Sequence, residues 1–184
     1  MNLNALQPGS PPYDAVLAHE FQHMIHWRQD SNEDAWLNEG LSELAEQLNG
    51  FGWPVAAVEA FAADPDLQLN TWSDDTRVGA HYGASYLMMR YLYDRYGPQA
   101  LRALSQEQAN GIASLDGMLA MQKPASSVTD LWADWIVANA LDRPDIEDGR
   151  YGYTECDIRV TSQQVITWPY TILGEVHQYA ADYW

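Results

Sequence analysis

Residues 19–23 read His-Glu-Phe-Gln-His, two imidazoles one helical turn apart with a carboxylate beside the first. Neutral imidazoles on one side of a helix are donors that a zinc ion takes. A glutamate next to them can draw a proton from zinc-activated water and pass it to a leaving amine. At about 100° per residue, His23 falls about 40° to one side of His19 and His26 about 20° to the other. Leu17, Phe21, Met24 and Ile25 fall on the opposite side. The pattern predicts a helix with a polar working face and an apolar packing face. The chemistry it predicts is metal-assisted hydrolysis, with His19 and His23 as ligands and Glu20 as general base.

A catalytic zinc takes three protein ligands and keeps a fourth position open. A metzincin would place Gly at 26 and His at 29, where this chain has His26 and Gln29. The other source is a glutamate on a following helix. Residues 36–43 read Trp-Leu-Asn-Glu-Gly-Leu-Ser-Glu. Glu39, Glu43 and Glu46 cluster within about 60° on the helical wheel, with Leu37, Leu41, Leu44 and Leu48 opposite. Antiparallel packing of the two helices would bring carboxylates to the histidines. Glu46 reads as a solvated position, and His26 as a rim or outer residue rather than a ligand.

The elements that must hold these residues are mostly helices. Pro11, Pro12 and Asp14 open a first helix to about Gln29. A second runs from Ala35 to Leu48 and closes at Asn49-Gly50. A short helix follows from Pro54 to Ala63, and residues 66–80 read as a loop. A long helix covers Tyr82 to Tyr96 and stops at Gly97-Pro98, and three more are expected over 98–107, 114–122 and 128–142. After Arg143-Pro144, the segment DIRVTSQQVITW has β-branched residues at strand-like spacing. The expected fold is mainly α, a zincin-like helical core over 1–144, followed by a small β appendage over 145–184 or the start of a further domain.

The remaining composition narrows the function classes. A net charge of −17 repels nucleic acid and anionic surfaces. No apolar run reaches a membrane span. The lone Cys156 rules out an internal disulfide. MNLNALQPGSPPYD lacks the features of a signal peptide.

HEFQHMI and WLNEGLSE, followed by YGASYL and later W-x-x-A-N, resemble the gluzincin zinc peptidases, most closely the hyicolysin-like neutral metallopeptidases. The resemblance implies His19, His23 and Glu39 as zinc ligands, Glu20 as general base, and Glu43 as an acid that orients a ligand histidine. It also implies a peptide or protein substrate and an extracellular site of action. Fifteen residues separate His23 from Glu39, fewer than in thermolysin-like enzymes. Nineteen separate it from Glu43, which stays the fallback ligand; Gly40 would let the two metal helices approach. Gluzincins carry a sheet upstream of this motif that the eighteen residues before His19 cannot supply, so a longer polypeptide is expected.

Gluzincins stabilise the oxyanion with a Tyr or His from a later helix. Tyr82 and His81 are the candidates here, with Gly83 permitting close approach. Tyr86, Met89, Tyr93, Trp132 and Trp135 read as core, and His177 as structural. Asp74-Asp75 and Asp145 to Asp148 lack the spacing of a calcium loop, so calcium has no support. Two alternatives stay open: a zinc-stabilised module without catalysis, which a fourth protein ligand from His26 or Glu43 would favour, and an aminopeptidase.

Overall fold

A computed structural model describes residues 6–73, 75–122 and 124–184. Among these described residues six helices follow in order: α1 (Pro11–Gln29), α2 (Ala35–Leu48), α3 (Val55–Ala63), α4 (Val78–Leu104), α5 (Ile112–Ala120) and α6 (Val128–Leu141). Prolines occupy the first turn of α1, where a missing N–H costs no helical bond. Gly97 breaks α4 with φ 75° and ψ −179°, a conformation open to glycine. Pro98 disfavours helical backbone at the residue before it and then serves as the first residue of the resumed helix.

The core is built around α4. From Ala84 to Leu92 every residue of α4 is buried, so the helix is surrounded on all sides. It packs against α2 and α3 and also touches α5, which in turn meets α6. Two glycines set the closest crossings. A Cβ on Gly40 would sit 2.6 Å from the Ser85 carbonyl oxygen, and one on Gly83 would sit 2.1 Å from that of Ala57. Gly40 therefore serves the α2–α4 crossing rather than the approach of the metal helices. Gly83 serves the α3–α4 crossing rather than a substrate.

On α2, Trp36, Leu37, Leu41 and Leu44 are buried against this core. Each fully buried leucine of this kind contributes about 1.5–3 kcal/mol. The apolar side of α1 differs from expectation. Leu17, Phe21, Met24 and Ile25 are all exposed, and His26 is the one buried residue of the helix. Helix α1 packs on α2 through its imidazole side. No described element covers its other side. Its connector is held elsewhere: the Glu33 carboxylate accepts from Gly111 N at 2.7 Å and from the Ser114 hydroxyl at 3.2 Å.

The β appendage is not formed. Among the described residues there is no strand. The segment after Arg143 begins with turns as far as Gly152 and then runs on without a ladder, tied to the body and to itself by isolated bonds. Thr161 N donates to Ala62 O at 2.7 Å, Gln163 N to Tyr183 O at 2.9 Å, and Leu69 N to Tyr179 O at 3.0 Å. β-branched spacing favours extended backbone, but a strand also needs a neighbour that continues the ladder. Side chains anchor the segment instead. The Asp142 carboxylate, at the left-handed end of α6, accepts from Tyr153 N and Ile158 N. The Tyr153 hydroxyl donates to Asn139, and buried Arg90 bonds Asp94, Thr154 and Glu155. Tyr153 and Ile158 lie in the core.

Candidate metal centre

Helices α1 and α2 bring His19, His23 and Glu39 together. The Nε2 atoms of the two histidines are 3.1 Å apart. Glu39 Oε2 lies 3.2 Å from His19 Nε2 and 3.5 Å from His23 Nε2. These three edges form a nearly equilateral triangle of donors. A tetrahedral zinc with ligands at about 2.0–2.1 Å has donor–donor edges of about 3.3–3.4 Å. Glu39 Oε2 is buried, and the two imidazoles are the groups it faces, as expected of an oxygen turned toward a shared cation position. The residues present therefore fit a metal ion, and the donor set of two imidazoles and a carboxylate suits zinc.

Each imidazole is also held on its far side. His23 Nδ1 lies 3.1 Å from Asn38 Oδ1 and 3.1 Å from Ser42 Oγ. The Ser42 hydroxyl donates to the Asn38 carbonyl at 3.1 Å, so its oxygen can accept from His23. Both neighbours thus favour the proton on Nδ1 and leave Nε2 free for a metal. His26 is buried and directs Nδ1 to the same Asn38 Oδ1 at 3.1 Å, outside the triangle. His19 Nδ1 faces Glu46 at 3.1 Å and Glu43 at 3.6 Å, and these three form a second group able to hold a metal.

The electrostatics show a demand for positive charge. Burial alone would lower the His19 pKa, but Glu39, Glu46 and Glu43 outweigh it and push it up to about 10. Glu39 raises that of His23 against its burial. Burial would raise Glu39, yet the two imidazoles hold it down at about 2. Glu43 is pushed up to about 7 by burial and then by Glu46. Without a cation, protons fill the role that a metal would take over.

Glu20 is exposed on α1, directly after His19 in the chain. It lines a groove of about 640 Å³ with His23, Met24, Trp27, Arg28 and Asn38. His81 and Tyr82 are the fourth and fifth residues of α4. Both pack on Trp72, with ring centroids 5.6 and 4.9 Å away. Burial lowers the His81 pKa, and His81 belongs to neither metal-capable group.

Two residues of the centre escaped the sequence reading, and a third was placed on the right side of α2 but read as solvated. Asn38 and Ser42 carried no signal except their place beside Glu39 and Glu43 on α2. Glu46 read as solvated, but its spacing of seven from Glu39 puts it on the same face. Of the acidic turns, Asp74 lies outside the described residues. Asp145 is paired with Arg143, and Asp148 with Arg95 and Arg150. His177 pairs with Asp66 at 3.0 Å.

Among the described residues there are thus two His/Glu groups able to hold a metal ion, and no described helix is long and apolar enough to cross a membrane. No protein-family model matches the chain and no curated protein matches it significantly, so the chemistry of the centre follows from its own atoms.

Proposed function

We propose that the protein is a zinc-dependent peptidase of the gluzincin kind. The observation that carries this reading is the triangle of His19 Nε2, His23 Nε2 and Glu39 Oε2, with Glu20 on the adjoining groove. Zinc bound there would supply Lewis acidity, polarising a peptide carbonyl and making water a nucleophile near neutral pH.

The chain's own residues do the rest. Asn38 and Ser42 fix the His23 ring. The Glu20 carboxylate accepts the proton that the attacking water gives up and returns it to the leaving nitrogen. The groove beside Glu20, with Met24 and Trp27 in its wall, receives an extended peptide. Tyr82 is proposed as oxyanion donor, with His81 beside it, on the strength of the resemblance. An extracellular site of action belongs to the same reading.

A fourth protein ligand would favour the non-catalytic alternative. His26 is bound to Asn38 and Glu43 stands on the far side of His19, so neither joins the triangle. That supports an open, catalytic site.

The test is casein hydrolysis by the zinc-loaded chain and by Glu20→Gln. The expected result is equal zinc content with activity lowered at least about 100-fold in the variant. Equal hydrolysis by both would remove Glu20 from the mechanism. Zinc in both with activity in neither would return the centre to a binding role.

A further inference from the structure

His19 uses both ring nitrogens toward α2. Its Nε2 faces Glu39 and its Nδ1 faces the next two carboxylates of the same stripe. A neutral imidazole carries its proton on one nitrogen, and the partner of that nitrogen sets which one. At His23 the partners are Asn38 and Ser42, an amide oxygen and a hydroxyl. At His19 the candidates are Glu43 and Glu46. Glu43 Oε1 is 3.6 Å from Nδ1, too far for a hydrogen bond, whereas Glu46 Oε1 is at 3.1 Å.

We infer that Glu46, rather than Glu43, is the positioning residue of His19: its carboxylate holds the Nδ1 proton, fixes the ring and leaves Nε2 to the metal. The inference rests on the metal-binding reading of the triangle. Glu46 lies seven residues beyond Glu39, so two turns of α2 deliver the ligand carboxylate and the positioning carboxylate to opposite edges of one ring. A carboxylate on the far nitrogen raises the basicity of a ligand imidazole, and such partners affect metal affinity strongly.

The experiment is zinc affinity by competition with a chromophoric chelator, on the full chain and on Glu46→Ala, Glu46→Gln and Glu43→Ala. The absorption bands of bound Co²⁺ report the coordination, and metal-free thermal melts check the fold. Glu46→Ala is expected to weaken zinc about 10- to 100-fold and to alter the Co²⁺ bands. Glu46→Gln, whose amide oxygen can accept the same N–H, is expected to recover part of the loss. Glu43→Ala is expected to stay within about threefold of the parent. A Glu43→Ala loss equal to that of Glu46→Ala, or unchanged affinity in Glu46→Ala, overturns the assignment. Two zinc ions in the parent, one of them lost in Glu46→Ala, would make Glu46 a ligand and also overturn it. A parent that binds no zinc overturns the metal reading itself, and this inference with it.

Discussion

Helices α1 and α2 have the same layout in sequence, metal-type donors on one side and large apolar residues on the other, yet they are held in opposite ways. On α2 the apolar side is sealed: Leu37 is 0% and Leu44 1% exposed, against α4. On α1 Phe21 is 58% and Met24 66% exposed. Helix α2 is therefore fixed by hydrophobic burial, with its carboxylates as passengers. Helix α1 is fixed through its polar side, by His19, His23 and His26 against Asn38, Glu39 and Glu46. A periodic sequence tells which residues share a side, and what lies across from that side decides whether the periodicity stabilises anything. A metal in the triangle would join the weakly held helix to the strongly held one.

The largest effect expected from this contrast is in the α2 core. Leu44→Ala should cost about 2–5 kcal/mol in denaturant unfolding, because the side chain is fully enclosed. A loss below about 1 kcal/mol would show that α2 is not sealed as described. Next comes hydrogen exchange. Zinc at about 100 times its dissociation constant should slow exchange along α1 by up to about 100-fold, or 2.7 kcal/mol, if opening of α1 releases the metal. Amides of α4 should change far less. Equal protection of α1 with and without zinc would break the contrast.

The pH response follows from the same groups. His19 is raised from 6.5 to about 10, so its contribution is complete below pH 6.5 and lost as pH rises through 10. Glu43 is raised from 4.5 to about 7, a penalty that grows as pH climbs through that range. Glu39 is lowered from 4.5 to about 2, so its contribution is present above pH 4.5 and lost as pH falls toward 2. Urea unfolding of the chelator-treated chain should thus show falling stability from neutral to alkaline pH. Zinc should reverse that fall, since the metal needs neutral imidazoles. An alkaline rise without metal would contradict the charge arrangement. The smallest effect is expected of Leu17→Ala on the open side of α1, within about 0.5 kcal/mol.

Much of this architecture was legible because the chain punctuates its helices with proline and glycine. Pro11-Pro12, Asn49-Gly50 and Gly97-Pro98 mark helix ends through local backbone restrictions that need no tertiary information. The metal-type donors were legible for the same reason, since helical spacing alone puts His19 and His23 together. What depended on a neighbour was not legible. Gly40 and Gly83 announced close approach but not to which helix. Leu17 and Phe21 announced an apolar side but not that it would stay open. The 157–168 segment announced extended backbone without a strand to pair with. Glu46 shared a side with Glu39, and only the position of the His19 ring gave it a partner.

The most direct test of the central claim is a zinc titration of the metal-free chain beside His19→Ala and His23→Ala. One zinc per parent chain, with tight binding lost in both variants, is the result predicted from the triangle. Undiminished binding in both variants would place any metal elsewhere and contradict the account.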